Sequence, residues 1–351
     1  MGATATRPSE TRGKIWYLEW LRAFACLAVV LIHSFTTLLD NATVAEVGVS
    51  RALAWTEVLV VFCRWAVPVF LMVTGALLLD PSREVGWGKV RRYVLRVVAV
   101  LLTFGVAYAL MEIVFDSRSF EPSMIPAAVL NVLQGRGWAH FWYLYDLLGV
   151  YLLLPLLHPF ASASSERDLR AMLVVLFAFS LAVPTVNAAS GLELEPLIWF
   201  GSSVFYVLLG RYLSSCESPV APVAIAGVAS LLFQSLLAGG GIVTGGTYLS
   251  WVWSPSSPLA AAWAAAVFIF FKSYLDVPMR KGGIAMTLAE CSFAVYVVHP
   301  VFANLLYKAL GWSAVPLPPV LFEIVTFTVI FLPSLALSFA LKKTPLIGRI
   351  L

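Results

Sequence analysis

Side chains suited to anion binding and proton transfer occur together in the first apolar stretch of the chain, residues 15–39. Arg22 and His33 lie eleven positions apart in this stretch. Eleven residues of α-helix return to within about 20° of their starting direction and rise about 16 Å. The two side chains are therefore expected on one helix face at different depths. Histidine titrates near neutral pH and serves as a general base, whereas the planar guanidinium of arginine binds phosphate.

A simpler interpretation of the same residues is structural. Glu19 precedes Arg22 by three positions, a spacing at which two side chains pair on a helix. His33 would then be an interfacial residue without a chemical role. Arg64 and His299 also interrupt apolar stretches. A charge at the centre of a bilayer costs about 2.5–3.5 kcal/mol, so an ionisable residue there marks a potential functional position.

The composition indicates which kind of structure positions these residues. Hydrophobic residues occupy 60% of the 351 positions and charged residues only 12%, and the mean hydropathy is +0.89. Soluble domains contain roughly 25% charged residues, so a soluble fold is excluded. The formal net charge of +4 is too small to indicate a nucleic-acid partner. The four cysteines do not have metal-binding spacing, and no metal is predicted.

Apolar stretches of about 20 residues cross a bilayer as helices, because irregular backbone cannot face lipid. Ten such stretches lie at residues 15–39, 55–79, 94–115, 141–160, 171–187, 197–213, 221–237, 257–275, 284–307 and 318–341. We therefore predict an all-α polytopic membrane protein, a bundle of about ten transmembrane helices. The domain prediction is a tail at 1–14 followed by a single membrane-embedded domain at 15–351.

The orientation of the bundle follows from the lysines and arginines. Most of them lie at the ends of the stretches that share a side with the N-terminal tail. The opposite ends carry only Arg51, Arg118, Arg136 and Lys308. The positive-inside rule then places both termini in the cytoplasm. We expect the protein in the cytoplasmic (inner) membrane of a bacterium.

Four segments in chain order resemble the acyltransferase-3 family of integral membrane acyltransferases. The first is the Arg-x10-His spacing of Arg22 and His33, and the second is the Arg, Val-Pro and Phe pattern of residues 64–75. The third covers residues 140–155, and the fourth is Ser-Phe-x-x-Tyr-x-x-His at residues 292–300. Two positions depart from the family pattern. Thr74 stands where Ser is usual, and the spacing from Arg92 to Arg96 is one residue longer than Arg-x-x-Arg.

The resemblance implies the stand-alone form of an enzyme that moves an acyl group, most often acetyl, from cytoplasmic acyl-CoA to a hydroxyl group. The acceptor would be a surface glycan, a lipid-linked sugar or a small molecule at the membrane, and membrane lipid is the other expected partner. His33 is the expected base. His299 is expected to orient His33 or to bind the acceptor, and the alternative is a hydrogen bond within the bundle.

The other expected site residues fall into two groups. Acyl-CoA, in most cases acetyl-CoA, would be held by Arg22, Lys89, Arg91, Arg92 and Arg96. The last four of these also fit ordinary positive-inside charge. The acceptor would be contacted by Arg64, His140, Trp142 and Tyr296. The resemblance places His140 at the outer mouth of the acceptor site, where an interfacial aromatic belt is the alternative interpretation.

Two functions of other classes fit some of the same residues. A transporter or flippase of an acylated or lipid-linked glycan would use Arg22, Arg64 and His299 to line an anionic path. No inverted repeat and no matched pair of interrupted helices supports it. A membrane sensor that only binds acyl-CoA would keep the basic residues and would not need His33.

Overall fold

The structure is a computed structural model that describes residues 14–41, 50–194, 201–217, 219–244, 250–312 and 319–351. Within these ranges every regular element is a helix. The prediction of an all-α polytopic membrane protein is therefore confirmed. Most of the predicted N-terminal tail, residues 1–13, lies outside the described residues.

The helices follow one another along the chain with short connections. The first half contains α1 (Trp16–Asn41), α2 (Ser50–Cys63), α3 (Ala66–Leu78), α4 (Trp87–Ser117), α5 (Met124–Leu133) and α6 (Trp142–Ala163). The second half contains α7 (Glu166–Ser190), α8 (Gly201–Ser215), α9 (Val220–Thr244), α10 (Pro258–Tyr274), α11 (Ile284–Ala309), α12 (Pro319–Lys342) and α13 (Ile347–Ile350). Short 3₁₀ helices at Ala139–Phe141 and Ser250–Trp253 lie just before α6 and α10. Single π-helical turns interrupt α4, α7 and α11 at Leu101–Gly105, Ala178–Ala182 and Leu305–Ala309.

Eight segments of the described residues are helical, long and apolar enough to cross a membrane, and α2 and α3 together form one of them. Two of the ten predicted segments are shorter as helices, with 15 residues in α8 and 17 in α10. Helix α5 was not predicted from the sequence. Its 10 residues are too few to cross the hydrocarbon core.

The ends of distant helices meet at one side of the bundle. The ammonium of Lys14, just before α1, lies 3.3 Å from the Glu290 carboxylate in the second turn of α11. Lys342, at the end of α12, donates a hydrogen bond to the carbonyl oxygen of Glu290. The backbone N–H of Tyr17 donates to the carboxylate of Asp276, which follows α10, at 3.1 Å. These contacts bring together the helix ends that the charge distribution predicts to be cytoplasmic.

Helices α3 and α8 cross with their backbones in contact, because each has a glycine at the crossing. A Cβ added at Gly75 would lie 1.7 Å from the carbonyl oxygen of Val207, and one added at Gly210 would lie 2.0 Å from that of Met72. Small residues let membrane helices approach closely enough to gain van der Waals contact. The crossing holds α3 against α8 and so fixes the α3 side chains that face the interior.

Candidate active site

Three of the four histidines meet in the interior of the bundle. His33 comes from α1, His140 from the 3₁₀ helix before α6, and His299 from α11. The ring centroids are 5.2 Å apart for His33 and His299, 5.9 Å for His33 and His140, and 5.4 Å for His140 and His299. His299 is 0% exposed and His140 4%, whereas His33 is partly exposed. We call these three residues the histidine cluster.

Hydrogen bonds fix the helices that carry the cluster. The hydroxyl of Tyr296 donates to the carbonyl oxygen of His140 at 2.5 Å. The hydroxyl of Tyr307 donates to the carbonyl oxygen of Ser34, the residue after His33, at 2.8 Å. The Nδ1 atom of His299 lies 3.1 Å from the carbonyl oxygen of Val295. Because a carbonyl oxygen only accepts hydrogen bonds, Nδ1 carries the hydrogen in that contact, and Nε2 keeps its lone pair.

Aromatic rings surround His140. The centroid of its ring lies 4.4 Å from that of Phe141, 5.6 Å from Tyr296, 6.2 Å from Tyr108 and 6.3 Å from Trp138. His140 precedes the membrane-spanning part of α6, and burial lowers the pKa of its imidazole well below the usual value, with His299 and His33 adding to the shift. The ring is therefore neutral at physiological pH. The expected place of His140 at the outer mouth differs from this buried position.

A cavity of about 520 Å³ lies between α1, α3, α4, α6 and α11, and the end of α12 also reaches its wall. Its basic lining residues are Arg22, Arg83, Arg96 and Lys342. Most of the remaining lining is apolar or aromatic, with Val29, Tyr143 and Tyr296 among it, and Thr74, Glu290 and Ser292 are its other polar members. We call it the basic cavity. Its volume lies in the range of small-molecule and cofactor sites.

The basic cavity leads along α1 towards the histidine cluster. Arg22 and Val29 both line it and lie seven residues apart, on nearly the same helix face. His33 follows Val29 by one further turn, about 6 Å along the helix axis. Tyr296 also lines the cavity, and its ring contacts those of His140 and His299. The histidine cluster therefore lies next to the inner end of the cavity.

The predicted pairing of Arg22 with Glu19 is present. The guanidinium Nη1 lies 3.2 Å from the Glu19 carboxylate, and Nη2 lies 3.4 Å from the Ser292 hydroxyl. The Arg22 side chain is still 29% exposed, towards the basic cavity that it lines. The structural and functional interpretations of Arg22 are thus compatible, because one guanidinium offers several donors.

The residues predicted to hold acyl-CoA separate into two groups in the structure. Arg22 and Arg96 line the basic cavity. Arg91 and Arg92 are exposed and lie outside its lining, as does Lys89, which donates to the carbonyl oxygen of Glu84 at 3.1 Å. The Arg96 guanidinium stacks over the Phe293 ring at 4.8 Å and donates to the carbonyl oxygens of Ile350 and Leu351 at 2.9 and 2.5 Å.

Two lining cations, Arg83 and Lys342, were not among the predicted donor residues. Both belong to the large set of charges at the same ends of the helices. No local pattern distinguished them, because their proximity depends on which helices are neighbours. Arg83 follows α3 and Lys342 ends α12.

A second cavity, of about 440 Å³, includes Arg64 in its wall. Arg64 lies at the break between α2 and α3 and is within electrostatic range of His33. The other walls come from the end of α7 and from the segment just before α10, with Thr185, Trp251 and Ser256 among them. These elements lie at the side opposite to the basic cavity, and we call this space the outer cavity. Trp142, also predicted to contact the acceptor, is 41% exposed at the start of α6.

The sequence model of a protein family described as an acyltransferase domain matches residues 15–343, nearly the whole chain. No curated protein and no solved structure matches the chain.

Proposed function

Because the chain belongs to the acyltransferase-3 family and is therefore an enzyme that transfers acyl groups, we propose that its donor is cytoplasmic acyl-CoA. The acyl group, in the simplest case acetyl, is transferred to a hydroxyl group of an acceptor at the membrane. The observation that carries this proposal is the position of the basic cavity. Its α1 wall runs from Arg22 to Val29, and His33 follows one turn beyond. We place the enzyme in the cytoplasmic membrane of a bacterium.

The basic cavity suits a nucleotide with several phosphates. Coenzyme A has a diphosphate and a 3′-phosphate at one end and a thioester at the end of a flexible arm. Arg22, Arg83, Arg96 and Lys342 supply positive charge and directed N–H donors at the open side. The apolar depth of the cavity fits the uncharged arm. In this arrangement the arm extends past Val29 and carries the thioester to the histidine cluster.

The reaction needs a base for the acceptor hydroxyl, and His33 is the proposed base. His33 takes the hydroxyl proton, and the acceptor oxygen attacks the thioester carbonyl carbon. The C–S bond then breaks, and the CoA thiolate takes the proton back from His33. His299 offers only the lone pair of Nε2, so it is suited to accept a hydrogen bond within the cluster and to orient its members.

The acceptor side is proposed to be the outer cavity. Its wall contains the hydroxyls of Thr185 and Ser256, the indole of Trp251 and the guanidinium of Arg64. Such a lining suits a hydroxyl-rich molecule, whether a glycan, a lipid-linked sugar or a small alcohol. Trp142, Tyr296 and His140 remain proposed neighbours of the acceptor path.

Release of CoA from acetyl-CoA by the purified protein, supplied with a mixture of sugar acceptors, tests this function. We expect acceptor-dependent release by the wild type and a loss of about 10²–10⁴-fold for His33→Ala. His158→Ala is the matched control, because this histidine contacts the Asp80 carbonyl oxygen at 3.3 Å and does not belong to the cluster. Acceptor movement across vesicles without CoA release would instead indicate a transporter. Equal rates for the two variants would exclude His33 as the base.

A further inference from the structure

The imidazole of His140 is unusual among the buried polar groups of the bundle. The ring is almost fully buried, and neither Nδ1 nor Nε2 has a hydrogen-bond partner among the residues that the structure describes. Buried side-chain nitrogens nearly always have such a partner, so each exception calls for an explanation. A neutral imidazole has one N–H and one lone pair. His140 therefore holds an uncommitted N–H donor inside the histidine cluster.

Three polar groups close to His140 are already committed. The N–H of His299 faces the carbonyl oxygen of Val295, so that ring cannot donate a second hydrogen bond while neutral. The hydroxyl of Tyr296 donates to the His140 carbonyl oxygen, and that of Tyr108 donates to the Val297 carbonyl oxygen at 2.8 Å. Among these groups only the ring of His140 is left with a donor to offer to a bound molecule.

The position of His140 is also fixed before any substrate binds. Its backbone is tied to α11 through Tyr296, and its ring packs against Phe141 and Trp138. Tyr296 lines the basic cavity as well, and its ring centroid lies 5.6 Å from that of His140, so the imidazole adjoins the inner end of the cavity, where the thioester is proposed to lie. A donor held rigidly in a dry site stabilises developing negative charge much better than a mobile donor in water does.

We propose that His140 is a further catalytic residue, whose neutral imidazole donates a hydrogen bond to the thioester carbonyl oxygen as that oxygen becomes negatively charged. The role rests on the proposed acyl transfer. When the acceptor oxygen attacks, the carbonyl π electrons move to the oxygen, and His140 shares its N–H with this oxyanion. When the C–S bond breaks, the electrons return to form the ester carbonyl. The N–H of His140 is not consumed, and His33 alone moves the acceptor proton.

Two substitutions at His140 separate donation of a hydrogen bond from other roles. His140→Leu removes the donor, and His140→Gln places an amide N–H close to the position of Nε2. We expect His140→Leu to lower kcat about 10²–10³-fold, as removal of one oxyanion donor does in other acyl transfer enzymes. The KM for acyl-CoA should stay within about threefold of the wild-type value, because the contact strengthens only in the transition state. His140→Gln should keep at least about a tenth of the wild-type kcat.

A second measurement does not depend on turnover. The carbonyl stretch of ¹³C-labelled acetyl-CoA bound to the protein without acceptor should lie at lower frequency than that of free acetyl-CoA, because a hydrogen bond weakens the C=O bond. The shift should disappear in His140→Leu and persist in part in His140→Gln. If His140→Leu does not fold, the Gln variant and the wild-type spectrum still test the contact.

Three results would overturn the role of His140. They are a fully active His140→Leu variant, equal losses of kcat in His140→Leu and His140→Gln, and a carbonyl stretch of bound acetyl-CoA that is the same in the wild type and in His140→Leu. In each case acceptor-dependent CoA release by the wild type would leave the proposed function intact. If the wild type releases no CoA with any acceptor, the proposed function fails, and the role of His140 fails with it.

Discussion

Replacement of Arg22 by lysine separates the two roles that the structure gives to this side chain. The guanidinium contacts the Glu19 carboxylate through Nη1 and the Ser292 hydroxyl through Nη2, while it lines the basic cavity. A lysine keeps the positive charge but has one nitrogen on a flexible chain. It can hold Glu19, yet it cannot at the same time direct a second donor towards a phosphate or carbonyl of the donor substrate.

The size of the effect follows from the hydrogen bond that is lost. A hydrogen bond to a charged group contributes about 1.5–3 kcal/mol. Since about 1.4 kcal/mol corresponds to a factor of ten, we expect the KM for acyl-CoA to rise about 10- to 150-fold in Arg22→Lys. The KM for the acceptor should change little, because Arg22 lines the basic cavity and not the outer cavity.

The assay measures both KM values from CoA release, together with the yield of folded protein. Glu19→Gln is the matched variant. If Arg22 serves only as the partner of Glu19, Glu19→Gln leaves the Arg22 guanidinium without its carboxylate partner. Removing one member of a buried ion pair is strongly destabilising. Equal losses of folded protein in both variants, with normal acyl-CoA affinity in the remainder, would refute the donor-site role of Arg22.

Three further predictions concern the donor site, the packing and the orientation. Arg83→Ala should raise the KM for acyl-CoA about tenfold through loss of a charged contact. Arg91→Ala, at an exposed position outside the basic cavity, should leave this KM unchanged. Similar KM values for the two variants would contradict the assignment of Arg83 to the donor site. Gly75→Ala should lower the free energy of unfolding by about 1–3 kcal/mol through overpacking against α8. Gly149→Ala, where an added Cβ meets nothing within 4 Å, should not lower it, and thermal unfolding in detergent compares the two. A cysteine at Lys89 should react with an impermeant thiol reagent only from the cytoplasmic side. Labelling from outside would show that the bundle has the opposite orientation.

The sequence was sufficient to predict the architecture, because the bilayer restricts the possibilities. Backbone in lipid must satisfy its own hydrogen bonds, so each apolar stretch of about 20 residues becomes a helix. The short α5 was missed for the same reason, since its 10 residues do not reach the length that the prediction requires. Helical periodicity also predicted the shared face of Arg22 and His33. In the structure this face forms the wall of the basic cavity and ends in the histidine cluster.

The assembly of the site was not predictable from spacing along the chain. The family resemblance placed His140 at the outer mouth of the acceptor site, and nothing in the sequence indicated that its ring is buried. It is buried because the segment before α6 turns inwards against Tyr296 of α11. Lys342 joins Arg22 in the basic cavity across more than 300 residues of sequence. Periodicity describes one helix at a time and contains no information about which helices are neighbours.

The separation of the two cavities has a consequence for the membrane as an electrical insulator. The basic cavity and the outer cavity have no lining residue in common within the described chain, and Tyr143 and Tyr296 form part of the inner wall of the basic cavity. A continuous water-filled channel through the bundle would let protons flow down their electrochemical gradient and discharge it. In the proposed location, the cytoplasmic membrane, side chains packed between the two cavities would let the enzyme draw its substrates from both sides while the proton gradient is kept.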